Sequence, residues 1–204
     1  TETKETNMNL PNKITLTRIF MIPVFVLFFY LDVLNGCNYL IAAIIFLLAA
    51  STDALDGHIA RSRGLVTNLG KFLDPIADKV LVSTAFILLL TRGIIFEVRF
   101  FEGWGLIVAG ICVAVILARE LIVSGFRMIA AERNLVIAAD KLGKIKTTFQ
   151  DASIVLILAG AAFCDTSAGM VILIVGIFFF YICTLLTVVS GVNYIVKNKH
   201  VLRD

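Results

Sequence analysis

Asp53-Ala54-Leu55-Asp56-Gly57-His58-Ile59-Ala60-Arg61, then eight residues to Gly70, then Asp74 and Asp78, set four carboxylates, two glycines and an arginine at the ends of two hydrophobic segments. Acidic groups at membrane depth are costly to bury and mark function by default. If both segments are helical, Asp53 and Asp56 lie three apart and Asp74 and Asp78 four apart, so each pair shares one helix face. Two such faces brought together would crowd four negative charges into a poorly solvated space, where they repel unless cations fill it. The plainer reading makes these residues caps and loop carboxylates. Asp74 precedes Pro75, which leaves room for a helix start at Asp74 itself.

Composition decides the environment. Of 204 residues 59% are hydrophobic and only 16% charged, with a mean hydropathy of +0.96. Soluble domains are about a quarter charged, so this is an integral membrane protein. A formal net charge of +3 with so few charged residues gives no basis for nucleic-acid binding. Four cysteines (Cys37, Cys112, Cys164, Cys183) lie in or beside apolar runs without a C-x-x-C pair, and there are two histidines. They read as small buried hydrophobes rather than a disulfide framework or a zinc site.

Working outward, six apolar runs emerge, at 19–34, 39–60, 72–91, 104–131, 147–164 and 169–196. A spanning helix needs about 20 residues, which predicts an all-α protein of six transmembrane helices. Tight turns are expected at Asn35-Gly36-Cys37-Asn38 and Asp165-Thr166-Ser167. A short N-terminal interfacial segment, Leu10–Arg18, precedes the first run, and Asn12, Thr15 and Arg18 recur on one side of it. That side either snorkels to the interface or turns toward the carboxylates. Residues 1–7 lack any apolar pattern and are set aside as a remnant preceding Met8; residues 8–204 read as one membrane domain.

Alternating the six runs across the bilayer puts 16 of the 18 lysines and arginines on one side, leaving Arg92 and Arg99 on the other. The positive-inside rule then puts both termini and the carboxylates in the cytoplasm, with Tyr30, Tyr39 and Trp104 as an aromatic belt at the far face.

The chemistry follows from ligand type. Four carboxylates without histidine or thiolate make a hard, oxygen-only site that favours Mg²⁺ or Mn²⁺. Two divalent ions would balance the charge, and two-metal sites serve phosphoryl chemistry. Gly57 and Gly70 let a backbone or bulky ligand approach closely, or simply serve helix packing. Arg61, one turn beyond Gly57, is placed to grip a phosphate. A second cationic set follows: Arg119 beside Glu120, Arg127 two turns on, then Lys141 and Lys144 at the start of the fifth run. Lysines there oppose the macrodipole unless an anion binds. The competing reading is positive-inside loop charge plus an Arg119–Glu120 compensation.

The spacing D-x2-D-G-x2-A-R-x8-G-x3-D-x3-D also resembles the signature of the CDP-alcohol phosphatidyltransferases, and every fixed position matches. The resemblance implies a donor, CDP-diacylglycerol, bound through its pyrophosphate to two metals, with an alcohol attacking the β-phosphorus and CMP leaving. It implies Asp53, Asp56 and Asp74 as metal ligands and Asp78 as the base, the latter also touching the second metal. Gly57, Ala60, Arg61 and Gly70 would hold the CDP portion, joined by Asn12 and Thr15. Pro11-Asn12-Lys13-Ile14-Thr15-Leu16-Thr17-Arg18, Arg119 through Arg133, and Leu142 through Gln150 resemble the bacterial phosphatidylglycerophosphate synthases of that family. This implies glycerol 3-phosphate as acceptor, its phosphate met by Arg119, Arg127, Lys141 and Lys144. It also implies a homodimer in the cell membrane of a bacterium. The same-family alternative is a cardiolipin synthase. The alternative from another class is a cation transporter, against which the acids are grouped near one membrane face.

Overall fold

A computed structural model describes the backbone of residues 10–31, 37–63, 68–93, 103–132 and 141–198, and the side chains of 15–31, 37–52, 76–93, 103–130 and 142–198. Among the described residues there are six helices and no strand: α1 (Leu10–Tyr30), α2 (Asn38–Arg63), α3 (Asn68–Thr91), α4 (Gly105–Glu132), α5 (Lys141–Ala162) and α6 (Ser167–Lys197). Each coincides with one apolar run, and most extend beyond it into polar sequence. Hydropathy sees only the lipid-facing part of a helix, whereas backbone hydrogen bonding continues through polar residues at its ends.

Among the described residues, three helices are long and apolar enough to cross a membrane, over Gly105–Ala130, Leu142–Ala162 and Ser167–Lys197. Shorter apolar stretches run over Thr15–Tyr30 and Asn38–Thr52. The N-terminal segment is no separate element: α1 runs without a break from Leu10 through Pro23 to Tyr30. Nor does a helix begin at Asp74. The helix starts at Asn68 and continues through Pro75, so Asp74 is an interior residue and the proline costs α3 one internal hydrogen bond.

The chain forms two compact units, Thr1–Thr84 and Ala85–Asp204. In the first, α1 packs along α2 through Phe25 and Phe29, both fully buried, and Phe46. The rings of Phe25 and Phe46 lie 6.0 Å apart and those of Phe29 and Tyr39 5.4 Å apart. Ala42, Ala43 and Ala49 are buried in the same unit. The Asn38 side chain donates to the Phe29 carbonyl at 3.1 Å, giving one of α1's last carbonyls a partner that the helix cannot supply.

In the second unit α5 and α6 form a tight pair, and α4 packs on α6. Thr166, the N-cap of α6, accepts from the Gly169 amide at 3.0 Å. Two glycines permit the close approach of α5 and α6. A Cβ on Gly160 would fall 2.4 Å from the Leu173 amide nitrogen, and one on Gly176 2.8 Å from that of Ile157. Both obstacles are backbone, so the helices themselves would have to part. Gly176→Ala is therefore expected to destabilise the protein by about 1–3 kcal/mol, the usual cost of overpacking, and Gly160→Ala by at least as much. Thermal unfolding in detergent reads this; an unchanged midpoint would mean that the pair is loosely packed.

Two cysteines depart from expectation. Cys183 is buried, but Cys37 and Cys164 are exposed, because each falls in a chain reversal rather than inside an apolar run.

Candidate functional site

In the first unit, unbroken helix through residues 51–63 and from residue 68 past Asp78 gives the carboxylates the spacing their chemistry needs. Asp53 and Asp56 stand three apart on α2, and Asp74 and Asp78 four apart on α3. The side chains of Asp53, Asp56, Gly57, Ala60, Arg61, Gly70 and Asp74 lie outside the described residues, as does that of Asn12. Among the described residues no acidic, histidine or cysteine cluster could hold a metal; three of the four expected ligands are not among them. Asp78 is described and exposed.

Packing resolves the alternatives left open for the N-terminal polar face. Thr15 and Arg18 are 1% and 0% exposed, so this side does not snorkel. The Arg18 Nε donates to the Thr52 hydroxyl at 3.2 Å, and that hydroxyl donates to the Ala49 carbonyl at 2.6 Å. Thr52 immediately precedes Asp53. A guanidinium buried among apolar helices is tolerated only where polar partners surround it, and here it stands at the start of the acidic stretch. Arg18 was legible as part of the polar face; its burial was not. The residue types and their spacing, oxygen ligands only and paired on helical turns, suit hard divalent cations.

In the second unit, charge gathers where α4, α5 and α6 meet. Arg119 Nη1 donates to Glu120 Oε1 at 3.1 Å, and Nη2 donates to the Ser190 hydroxyl at 2.5 Å. The Lys146 ammonium pairs with the same Glu120 oxygen, and Lys146 is fully buried. The Arg119–Glu120 compensation thus exists, and it extends to a second cation. Around it Gln150, Ser153, Thr187 and Ser190 are buried. The Ser153 and Thr187 hydroxyls donate back to the carbonyls of Gln150 and Cys183, each at 2.7 Å, as hydroxyls in apolar helices do.

The other expected cations are placed differently. Arg127 is exposed, its guanidinium 5.8 Å from the centroid of the Tyr194 ring. Lys144 is exposed and its carbonyl accepts from the hydroxyls of Thr147 and Thr148. Lys141 opens α5 with its side chain outside the described residues. Lys146 was absent from the expected set, yet a signal existed. Gln150, Ile154, Ile157 and Ala161 form the buried stripe of α5, and Lys146 extends that stripe by one turn, whereas Lys144 lies off it. Glu120 likewise falls between Ile116 and Val123 on the buried stripe of α4.

The chain is all-helical among its described residues, with carboxylates on paired helical spacing in α2 and α3 and a buried Arg119–Glu120–Lys146 cluster where α4, α5 and α6 meet. The family model described as CDP-alcohol phosphatidyltransferase matches residues 8–200, and the chain belongs to that family. Curated relatives share the printed name CDP-diacylglycerol–glycerol-3-phosphate 3-phosphatidyltransferase. That of Bacillus subtilis is 39% identical, covering 96% of this chain and 97% of its own length. That of Rickettsia typhi is 37% identical, covering 91% and 94%, and that of Shigella flexneri 35%, covering 96% and 98%.

Proposed function

We propose that the protein transfers the phosphatidyl group of CDP-diacylglycerol to glycerol 3-phosphate, yielding phosphatidylglycerophosphate and CMP. The observation that carries this reading is the intact carboxylate spacing on two continuous helices, in a chain similar over nearly all its length to relatives of that name.

Asp53, Asp56 and Asp74 would hold the divalent cations, Mg²⁺ or Mn²⁺, with Asp78 completing the set. When bound, two such cations would offset the pyrophosphate charge and that developing in an in-line displacement. The chain's own residues supply the rest. Arg61 offers paired donors to a phosphate of the CDP portion. Gly57, Ala60 and Gly70 keep bulk away from it, and Asn12 would touch the nucleotide, while Thr15, buried on the same side of α1, could only support that contact from behind. Asp78 takes the proton from the acceptor hydroxyl as its oxygen attacks phosphorus, and the pyrophosphate P–O bond breaks with its electron pair leaving on CMP. Exposure of Asp78 suits a residue that must give up that proton afterwards.

The acceptor's phosphate is assigned to the cationic cluster, with Arg119 at its centre and Arg127, Lys141 and Lys144 drawing anions toward it. A serine acceptor would not need this charge. Arg119→Ala should lower kcat/KM for glycerol 3-phosphate about 30- to 150-fold, the worth of a charge-assisted contact of about 2–3 kcal/mol. Donor affinity should be spared. Equal losses toward both substrates would mean one fused site.

The reading extends to a homodimer in a bacterial cell membrane, six spans, both termini and the acidic helix ends cytoplasmic. The uneven distribution of lysine and arginine supports this orientation. The function is tested by CMP release from CDP-diacylglycerol by purified protein with Mg²⁺ or Mn²⁺ and each acceptor in turn. Release with phosphatidylglycerol but not glycerol 3-phosphate would make it a cardiolipin synthase.

A further inference from the structure

The α1–α2 pair has a defined antiparallel register. The Phe29 ring meets Tyr39, Phe25 meets Phe46, and further along Arg18 meets Thr52. On α1 the buried positions Arg18, Ile22, Phe25 and Phe29 follow at steps of four, three and four residues, the stripe of a helix packed along a partner. Arg18 therefore fills a packing position at the end of that stripe, opposite the turn of α2 that leads into Asp53 and Asp56.

In that turn the Thr52 hydroxyl has two jobs. It donates its proton to the Ala49 carbonyl at 2.6 Å and accepts the Arg18 Nε–H at 3.2 Å. A β-branched side chain has few rotamers to begin with, and these two bonds together select one. The neighbouring Ser51 hydroxyl donates back to the Leu47 carbonyl at 2.7 Å. Hydroxyls bonded back to their own helix often bend it. How these bonds are set thus bears on the direction in which the acidic end of α2 leaves its packed part.

We propose that Arg18 is a positioning residue for the Asp53–Asp56 pair, acting through the Thr52 hydroxyl. Anchored in the stripe of α1, its guanidinium holds the Thr52 rotamer and with it the turn from which the two carboxylates follow. This rests on the metal reading given above and adds to it an arginine on another helix that acts through a second residue. Groups that orient metal ligands from behind are worth about 10- to 100-fold in metal affinity. A bare positive charge beside an acidic site would do the opposite: it repels divalent cations, and its removal would tighten their binding.

Mn²⁺ binding to the purified protein in detergent, followed by paramagnetic relaxation of water, tests this without turnover. Thr52→Val keeps the arginine's charge and removes only the hydroxyl; Arg18→Met removes charge and donor together. Each should weaken Mn²⁺ binding about 10- to 100-fold. The double variant should lose no more than the worse single one, because both break the same link. Thr52→Ser keeps the hydroxyl and should bind Mn²⁺ as the unaltered protein does. A purely structural role would lower the unfolding midpoint of the variants and leave Mn²⁺ affinity unchanged, which would overturn the proposal. So would tighter binding in Arg18→Met, additive losses in the double variant, or a loss in Thr52→Ser equal to that in Thr52→Val. If Arg18→Met does not fold, the two Thr52 variants decide alone. If the unaltered protein binds Mn²⁺ and Thr52→Val binds it equally well, only the positioning role falls. If the unaltered protein binds none, the metal reading falls with it.

Discussion

Asp53→Ala, Asp56→Ala and Asp74→Ala are each expected to lower CMP release by about a thousandfold or more. Losing one ligand from an oxygen-only site unbalances the rest: the cation is held less tightly, and the charge it would offset in the displacement goes unmet. Several kcal/mol of transition-state stabilisation depend on such an ion, and about 4 kcal/mol corresponds to roughly a thousandfold in rate. Because the carboxylates act as a unit, pairing two of these substitutions should cost little more than either alone. Excess EDTA should abolish activity of the unaltered protein, and Mg²⁺ or Mn²⁺ should restore it. Binding of Mn²⁺, followed by its paramagnetic relaxation of water, gives a readout independent of turnover and should weaken in all three variants. Turnover surviving in EDTA would remove the metals from the mechanism, and near-native turnover in one variant would remove that aspartate from the ligand set.

Asp78→Asn is expected to lose about 100- to 10,000-fold in turnover, the usual contribution of a positioned general base, while CDP-diacylglycerol still binds. Asparagine keeps the shape and the hydrogen-bonding reach of aspartate but cannot accept the proton released when the acceptor hydroxyl attacks. Asp78 is exposed on α3, four residues from Asp74, so the change does not disturb a packed core. Donor affinity measured directly, beside turnover at saturating donor, separates the roles. If affinity collapses with the rate, Asp78 acts mainly as a ligand and the proton leaves by another route.

Chain order and residue type determined a good deal without any coordinates. The membrane class followed from composition. The six apolar runs became six helices, because a chain in lipid must satisfy its backbone internally and helix is the local way to do so. The carboxylate spacing was legible for the same reason: residues three or four apart on a continuous helix share a face whatever surrounds them. Even the pairing of Arg119 with Glu120 was a local possibility between chain neighbours.

What the tertiary structure decided were relations between residues far apart in the chain. Thr15 and Arg18 could have faced interface or acids, and only the packing of α1 on α2, which puts the Arg18 guanidinium on the Thr52 hydroxyl, separates the two. The N-terminal lysines of α5 look alike as sequence, yet Lys146 is buried against Glu120 and Lys144 is exposed; the choice depends on which side of α5 meets its neighbours. The run Ala159-Gly160-Ala161-Ala162 could have served a partner chain, but Gly160 is taken up by Leu173 of α6. Tyr194 carried no signal of its own: its burial against the Phe126 ring depends on which side of α6 meets α4, a relation that no local pattern of residues encodes.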